Sequence, residues 1–318
     1  MAWNMGLVAA KKEEWMPAAV CFSSCARLIS HFFTAADTTT AAFRAYQLRK
    51  VSAMLLTGAS LLEIYKVDCV AAAGDPTAAA TARNTQGLIA QASSALAKQQ
   101  QTVEALLADN VDAVHDSNVL STLRNHGLVL QHELSCLSGD TSAELRILQT
   151  AGDLTCTSSD IITMANNSAD YGSAAAAARG FDVALTRLLA DPQRDTSTIA
   201  SVIRRRIEIE ERSSAAAGST CAQEKLGELY GSAATHLALL AGSYPGDEAA
   251  WLVTTAFNRG VGHHRMCRFA KAQCMFEIAR TILPHALRSD PALERLQSRI
   301  DEALSIVKLE LLGGNPAA

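Results

Sequence analysis

The chain has 318 residues and a net charge of −4, with 49% hydrophobic and only 5% aromatic residues. Seven prolines and eighteen glycines exclude a disordered or collagen-like chain. Charges of both signs are interspersed, which excludes the concentrated basic face that nucleic-acid binding needs. The apolar residues are mostly Ala, Leu, Val and Ile, and no alternating Val/Ile/Thr segment marks a strand, so the expected class is all-α.

Helical patterns run nearly end to end, broken by short polar stretches. The first expected helix carries Ala2-Trp3-Asn4-Met5-Gly6-Leu7, and a second carries Trp15, Ala18 and Phe22. Breaks are expected at Thr34–Thr40, Gly74–Thr77, Asp109–Ser117, Gly139–Thr141, Gly152–Ser159, Asp191–Thr196, Ser213–Thr220 and Ser243–Asp247. Asp75-Pro76-Thr77 and Ser243-Tyr244-Pro245-Gly246-Asp247 read as helix starts. The run Ala174 to Ala178 favours close helix contact, and Arg179-Gly180-Phe181-Asp182-Val183-Ala184 with Leu188 reads as the second helix of a degenerate pair. Arg204-Arg205-Arg206 is followed by Glu208, Glu210 and Glu211, so it reads as a solvated, salt-bridged face. Short breaks favour antiparallel neighbours stacked in order, giving one array over residues 1–312 and a fraying tail at 313–318.

A repeat at long separation is the strongest internal signal. Ala2-Trp3-Asn4-Met5-Gly6-Leu7 lies over Ala256-Phe257-Asn258-Arg259-Gly260-Val261, an offset of 254 residues from Ala2 to Ala256 that holds without a gap for more than two dozen residues. Trp15 then meets Phe269, Ala18 meets Ala272, Phe22 meets Phe276 and Cys25 meets Ala279. Gly260, Ala272, Phe276, Ala279 and Pro284 fall at tetratricopeptide spacing, and the first copy keeps Gly6, Ala18 and Phe22 but has Ser30 in place of Pro284. In each copy the Gly and Ala let the helices approach and the Phe fills the space beneath. The expected architecture is a tetratricopeptide-like α-solenoid of antiparallel hairpins, clearest at residues 1–31 and 248–287.

Those hairpins, with degenerate helical pairs between them, resemble the Zip-four/Spo-twenty-two family of meiosis-specific tetratricopeptide scaffolds. The more specific segment is the second, where Glu248-Ala249-Ala250-Trp251-Leu252 leads into Ala256-Phe257-Asn258-Arg259-Gly260. Ala174 to Leu189 and Ile199-Ala200-Ser201-Val202-Ile203-Arg204-Arg205 resemble the family's Ala-rich hairpin and the helix after it. Phe257 departs from the family's usual Trp. Family members are longer, and Met1 lies two residues before Trp3 with no capping residue ahead, so a C-terminal portion of a longer protein is expected. The resemblance implies a scaffold of the ZMM crossover group in the nucleus, on meiotic chromosomes, joining recombination factors to synaptonemal-complex assembly. Its partners would be proteins, not nucleic acid, membrane or a small molecule.

Asn4 and Asn258 sit two residues before the packing glycines, where an amide either grips a peptide backbone in a groove or fixes the hairpin. Trp251, Phe257, Trp3 and Trp15 read first as core; Phe257 and Trp3 are the best contact candidates beside a polar anchor, with Arg259 next to them. A co-chaperone-like adaptor for acidic tails is the rival, but Arg259 has only Met5 as its counterpart.

Eight scattered cysteines without a signal-peptide pattern read as free, largely buried thiols in a reducing compartment. His263, Cys267 and Cys274 lack zinc-site spacing, and His263 falls at the repeat's buried aromatic position, so no metal or other cofactor is expected. No phosphate loop, Gly-x-Ser-x-Gly or His-Glu-x-x-His occurs. Acids and histidines show no clustered pair, with His126, His132 and His236 expected on helix surfaces or packing margins. Asn166-Asn167-Ser168 matches a glycosylation acceptor only by coincidence. No apolar run approaches the ~20 residues that span a bilayer, so an intracellular, soluble protein is expected.

Overall fold

A computed structural model describes residues 1–32, 41–72, 79–109, 114–154, 156–217, 220–240, 242–287 and 293–313. Among the described residues there are thirteen helices and no strand: α1 (Ala2–Lys11), α2 (Trp15–Phe32), α3 (Ala41–Ala72), α4 (Ala79–Asp109), α5 (Val114–Ser138), α6 (Thr141–Asp153), α7 (Ser158–Tyr171), α8 (Ala174–Ala190), α9 (Thr196–Ala217), α10 (Thr220–Leu239), α11 (Gly246–Arg265), α12 (Phe269–Ala286) and α13 (Glu294–Gly313). They pack mostly between sequence neighbours, as an array of helical hairpins does. No helix among the described residues is long and apolar enough to cross a membrane.

The chain divides into two compact units, Met1–Ala176 and Ala177–Ala318. In the first, α1 folds back on α2, α2 packs on α3, α3 on α4 and α4 on α5, and α5 takes both α6 and α7. Its core runs through Phe22, Leu62, Leu96, Leu120, Leu148, Ile161 and Met164, all almost without solvent contact. Across α3 and α5, Lys66 Nζ meets Glu133 Oε1 at 2.5 Å, and Tyr65 donates to the Leu137 carbonyl at 3.5 Å. In the second unit α11 and α12 form the central hairpin, α10 and α13 flank α12, and α9 packs on α10 and α11. Ile199, Ile207, Tyr230 and Phe276 are buried there.

The expected repeat appears as two hairpins with equivalent contacts. Ala18, Phe22, Ala272 and Phe276 are buried, as are Gly6 and Gly260, and Cys25 and Ala279 behind them. Trp3 meets Phe22 edge-on with ring centroids 5.6 Å apart, and Phe257 meets Phe276 at 5.5 Å. The turns match as well. Lys12 and Met266 cap α1 and α11 with nearly the same dihedrals, and the next residues, Glu13 and Cys267, both adopt positive φ, at 61° and 55°. Glu14 N–H then donates to the Ala9 carbonyl and Arg268 N–H to the His263 carbonyl, the closing bond of a Schellman-type end. Pro284 lies inside the last turn of α12, which continues to Ala286.

Local chemistry sets the other boundaries. Thr157 and Asp160 form a capping box, with Asp160 N–H donating to Thr157 Oγ1 and Thr157 N–H to Asp160 Oδ2. Asp140 caps α6 by accepting from the Ala143 N–H at 2.9 Å. Pro245 stands at the cap of α11, with Asp247 and Glu248 in the first turn, as the sequence reading expected of a start there. The break expected at Ser213–Thr220 is shorter in the structure: α9 continues through Ala217, because Ser214 is buried and three alanines carry the helix on. Likewise α5 begins at Val114, inside the break expected at Asp109–Ser117. The expected breaks at 34–40 and 74–77, the helix start at Asp75-Pro76-Thr77, and tail residues 314–318 lie outside the described residues.

The thiols are less buried than expected. Of the seven described cysteines, none in a disulfide, Cys25, Cys136 and Cys156 are buried, Cys21 is half-buried, and Cys69, Cys267 and Cys274 are exposed.

Candidate functional site

Of the five residues expected to meet a partner, only the two asparagines are exposed. Asn4 borders a shallow hollow of ≈ 370 Å³ together with Met5, Val8, Pro17 and Cys21. Trp3 is half-buried, with its ring on Phe22 and the Arg49 guanidinium 5.6 Å from its centroid. Phe257 takes its core reading and not the partner contact: it is only 5% exposed, packed on Phe276 with the Arg299 guanidinium 5.3 Å from its ring centroid. Arg259 is also engaged internally. Its Nε–H donates to Glu211 Oε1 at 2.9 Å, and the buried Tyr230 hydroxyl donates to the same oxygen at 3.0 Å. Burial, with the Glu211 charge beside it, pushes the Tyr230 phenol well above its ordinary pKa.

The Arg204-Arg205-Arg206 run is salt-bridged, but it is not simply a solvated face. Arg204 pairs with Glu208 and Glu248 while stacking 4.8 Å from the half-buried Trp251 ring. Arg206 is buried, holding Asp182 and Glu210 at 2.9 Å each, with Lys225 also on Glu210.

A concavity lies in the first unit between α2, α3 and α4. This groove of ≈ 730 Å³ has an apolar floor of Ala19, Met54 and Leu61 and an apolar lip of Met16 and Val20. Arg27, His31 and Lys98 supply its basic groups, and no carboxylate lines it among the described residues. The hydroxyls of Ser30 and Thr57 on its walls donate to the carbonyls one turn back, leaving their oxygens as acceptors. An apolar floor under a one-signed rim suits an amphipathic segment of opposite charge.

A second constellation was not anticipated. His132 and Cys136 on α5, Glu144 on α6 and Ser168 on α7 meet in the interior of the first unit, and His132, Glu144 and Ser168 are wholly buried. This corrects two expectations, that His132 lies at a surface or packing margin and that acids and histidines do not cluster. The Ser168 hydroxyl donates to Glu144 Oε2 at 3.0 Å and lies 3.2 Å from His132 Nε2. Cys136 Sγ lies 3.6 Å from His132 Nδ1 and 3.7 Å from Ser168 Oγ. The Ser173 N–H also donates to Glu144 Oε2, while Glu144 Oε1 has no hydrogen-bond partner. The short α5–α6 link, with Gly139 at φ +74°, swings α6 back onto α5. Gly172 admits the approach at the end of α7, where a Cβ would lie 2.6 Å from Glu144 Oε2.

Burial governs the electrostatics of this cluster. It holds the His132 imidazole down at about 4 and, opposed by the Ser168 hydrogen bond, pushes the Cys136 thiol up to about 12. Such a thiol is a poor nucleophile. The carboxylate here bonds the serine rather than orienting the imidazole, and no solvent reaches the serine, so the order of a hydrolytic triad is absent. His132 and Cys136 stand four residues apart on one helix, a visible spacing; Glu144 and Ser168 join them only through the packing of α6 and α7.

His263 is buried in α11, as its repeat position requires, whereas Cys267 is exposed in the turn and Cys274 exposed on α12. Comparison with known proteins finds no matching family model, no matching curated protein and no matching solved structure.

Proposed function

We propose that the chain is a tetratricopeptide-like scaffold that acts by binding and not by catalysis, its α2/α3/α4 groove taking up acidic, amphipathic segments of partner proteins. The groove carries the proposal: an apolar floor with Arg27, Lys98 and His31 around it and no lining carboxylate. The tetratricopeptide reading rests on the equivalent glycine–phenylalanine contacts, aromatic pairs and left-handed turns of the two hairpins. The likeness of Glu248–Gly260 and Ala2–Leu7 to the Zip-four/Spo-twenty-two family supplies the setting. In that setting the protein works in the nucleus on meiotic chromosomes, with ZMM and synaptonemal-complex proteins as partners, and promotes crossovers. Its partners are proteins rather than nucleic acid, because the densest basic run, Arg204–Arg206, is taken up by Asp182, Glu208, Glu210 and Glu248.

Fluorescence anisotropy of the full chain with a labelled, acidic, amphipathic helical peptide tests the groove, with a charge-reversed peptide as control. The acidic peptide should bind, weaken by about tenfold or more with added salt, and lose its binding in Arg27→Glu/Lys98→Glu. Equal binding of the reversed peptide, or no effect of the double variant, overturns the groove. Amidating the peptide C-terminus separates the adaptor reading, which needs a free terminal carboxylate. For the setting, the tagged protein should form foci on chromosome axes only in meiotic cells; constitutive expression without such foci removes the meiotic assignment.

A further inference from the structure

We propose that His132, Cys136 and Glu144 form an interior binding site for a divalent transition-metal ion of the zinc class. The inference is independent of the groove. One ligand atom from each of the three residues lies within 4.8 Å of the others, all three residues being buried. Tetrahedral coordination with metal–nitrogen bonds near ~2.0 Å and metal–sulfur bonds near ~2.3 Å sets neighbouring ligand atoms roughly 3.5 Å apart. The 3.6 Å between Cys136 Sγ and His132 Nδ1 already meets that spacing.

The hydrogen bonds indicate which atoms are available. Ser168 has one hydroxyl proton, and it goes to Glu144 Oε2. Ser168 Oγ can therefore only accept from His132, which places the imidazole proton on Nε2 and leaves a lone pair on Nδ1, the nitrogen facing Cys136. Glu144 Oε2 is further occupied by the Ser173 N–H, whereas Oε1 is buried and unpartnered. Three donors thus remain: imidazole Nδ1, thiol Sγ and the Glu144 carboxylate, which has one oxygen free of hydrogen bonds. The outer partners an imidazole and a carboxylate need when they bind a metal are already in place.

Charge gives a second, separate reason. A carboxylate with no solvent exposure and one unpartnered oxygen is costly to bury. A divalent ion with one thiolate, one carboxylate and one neutral imidazole is electrically neutral. On binding, the Cys136 S–H bond breaks, its proton leaves to solvent and a sulfur–metal bond forms, with no change of oxidation state. Nitrogen and sulfur donors select zinc-class ions over magnesium or calcium, and a water completes four-coordination.

Cobalt(II) added to the chelator-treated full chain reports on the site through thiolate-to-cobalt charge transfer and tetrahedral d–d absorption. One equivalent should produce both signals, zinc should displace them, and zinc should raise the melting temperature. The exposed thiols serve as the control: Cys69→Ser/Cys267→Ser/Cys274→Ser keeps the signals. Ser168→Ala, which removes only the outer partner, should weaken cobalt affinity roughly 10- to 100-fold. Cys136→Ser should lose the charge-transfer band, and circular dichroism checks that its helices persist; if they do not, the triple variant and Ser168→Ala carry the test. No signal from the wild-type chain at stoichiometric cobalt overturns the site. So do loss of the signal in the triple variant, its survival in a folded Cys136→Ser, or unchanged affinity in Ser168→Ala.

Discussion

Gly260 faces Phe276 so closely that a methyl group on the glycine would lie 2.5 Å from Phe276 Cδ1, inside contact distance for any two carbons. Gly6 stands to Phe22 in the same way, its added Cβ lying 2.7 Å from Phe22 Cε1. The rings occupy the space a side chain would need, so each hairpin depends on having no Cβ at that one point. Gly260→Ala should therefore destabilise by about 1–3 kcal/mol, read as a lower melting temperature. Phe276→Leu alone leaves a void, but the pair Gly260→Ala/Phe276→Leu should cost less than the sum of the two. Simple additivity in that double-mutant cycle would mean the two residues do not share the space.

The turns of the same hairpins carry a small strain. Cys267 and Glu13 have positive φ with a Cβ attached, a conformation only glycine adopts freely. Cys267→Gly should raise stability by about 0.5–1 kcal/mol, the relief of strain exceeding the added chain entropy of glycine. Cys267→Ser, which keeps the Cβ, should leave the melting temperature unchanged. A lower melting temperature for the glycine variant would show that the thiol contributes to the turn.

How much of this could be read from the sequence depends on the range of the interaction. Gly6, Ala18 and Phe22 recur as Gly260, Ala272 and Phe276 because a hairpin contact is short in sequence and leaves a fixed spacing. Phe257 reads first as core from its own helix, but the group that covers its ring, Arg299, comes from α13, two helices on, and leaves no spacing in the sequence. His132 sits between Gln131 and Glu133, and the partners that make it interior, Glu144 and Ser168, lie on two further helices. The groove is equally non-local: Arg27 and Lys98 are brought together by the packing of α2, α3 and α4.

Arg206 should be the most sensitive charge in the second unit. It is 3% exposed and bonds Asp182 and Glu210, and Glu210 is itself only 7% exposed. Burial alone would raise the Glu210 carboxyl, but the bonds from Arg206 and Lys225 outweigh it and hold its pKa below the ordinary value. Arg206→Ala leaves that buried carboxylate with the exposed Lys225 alone and should cost about 3 kcal/mol in urea unfolding at neutral pH, the low end for breaking a buried pair. The loss should shrink in acid as Glu210 protonates. A loss below about 1 kcal/mol, in the range of surface pairs, would mean solvent reaches the network in solution.

His263 should tie stability to pH. Burial, reinforced by the positive charges of Arg259, Arg268 and Lys271, holds its pKa below the ordinary 6.5, and its Nδ1 has no hydrogen-bond partner. The unfolded chain takes up a proton near 6.5 that the folded chain refuses. The contribution of His263 is therefore complete above that pH and is lost as pH falls toward the depressed folded value, at no more than about 1.4 kcal/mol per pH unit. His236, also lowered by burial, adds a loss of the same sign. His263→Phe places an aromatic at the buried repeat position with nothing to titrate. Its melting temperature should fall less steeply than that of the wild-type chain between about pH 7 and pH 5, with the two curves converging or crossing toward acid. Parallel curves would show that the imidazole accepts its proton without leaving the core.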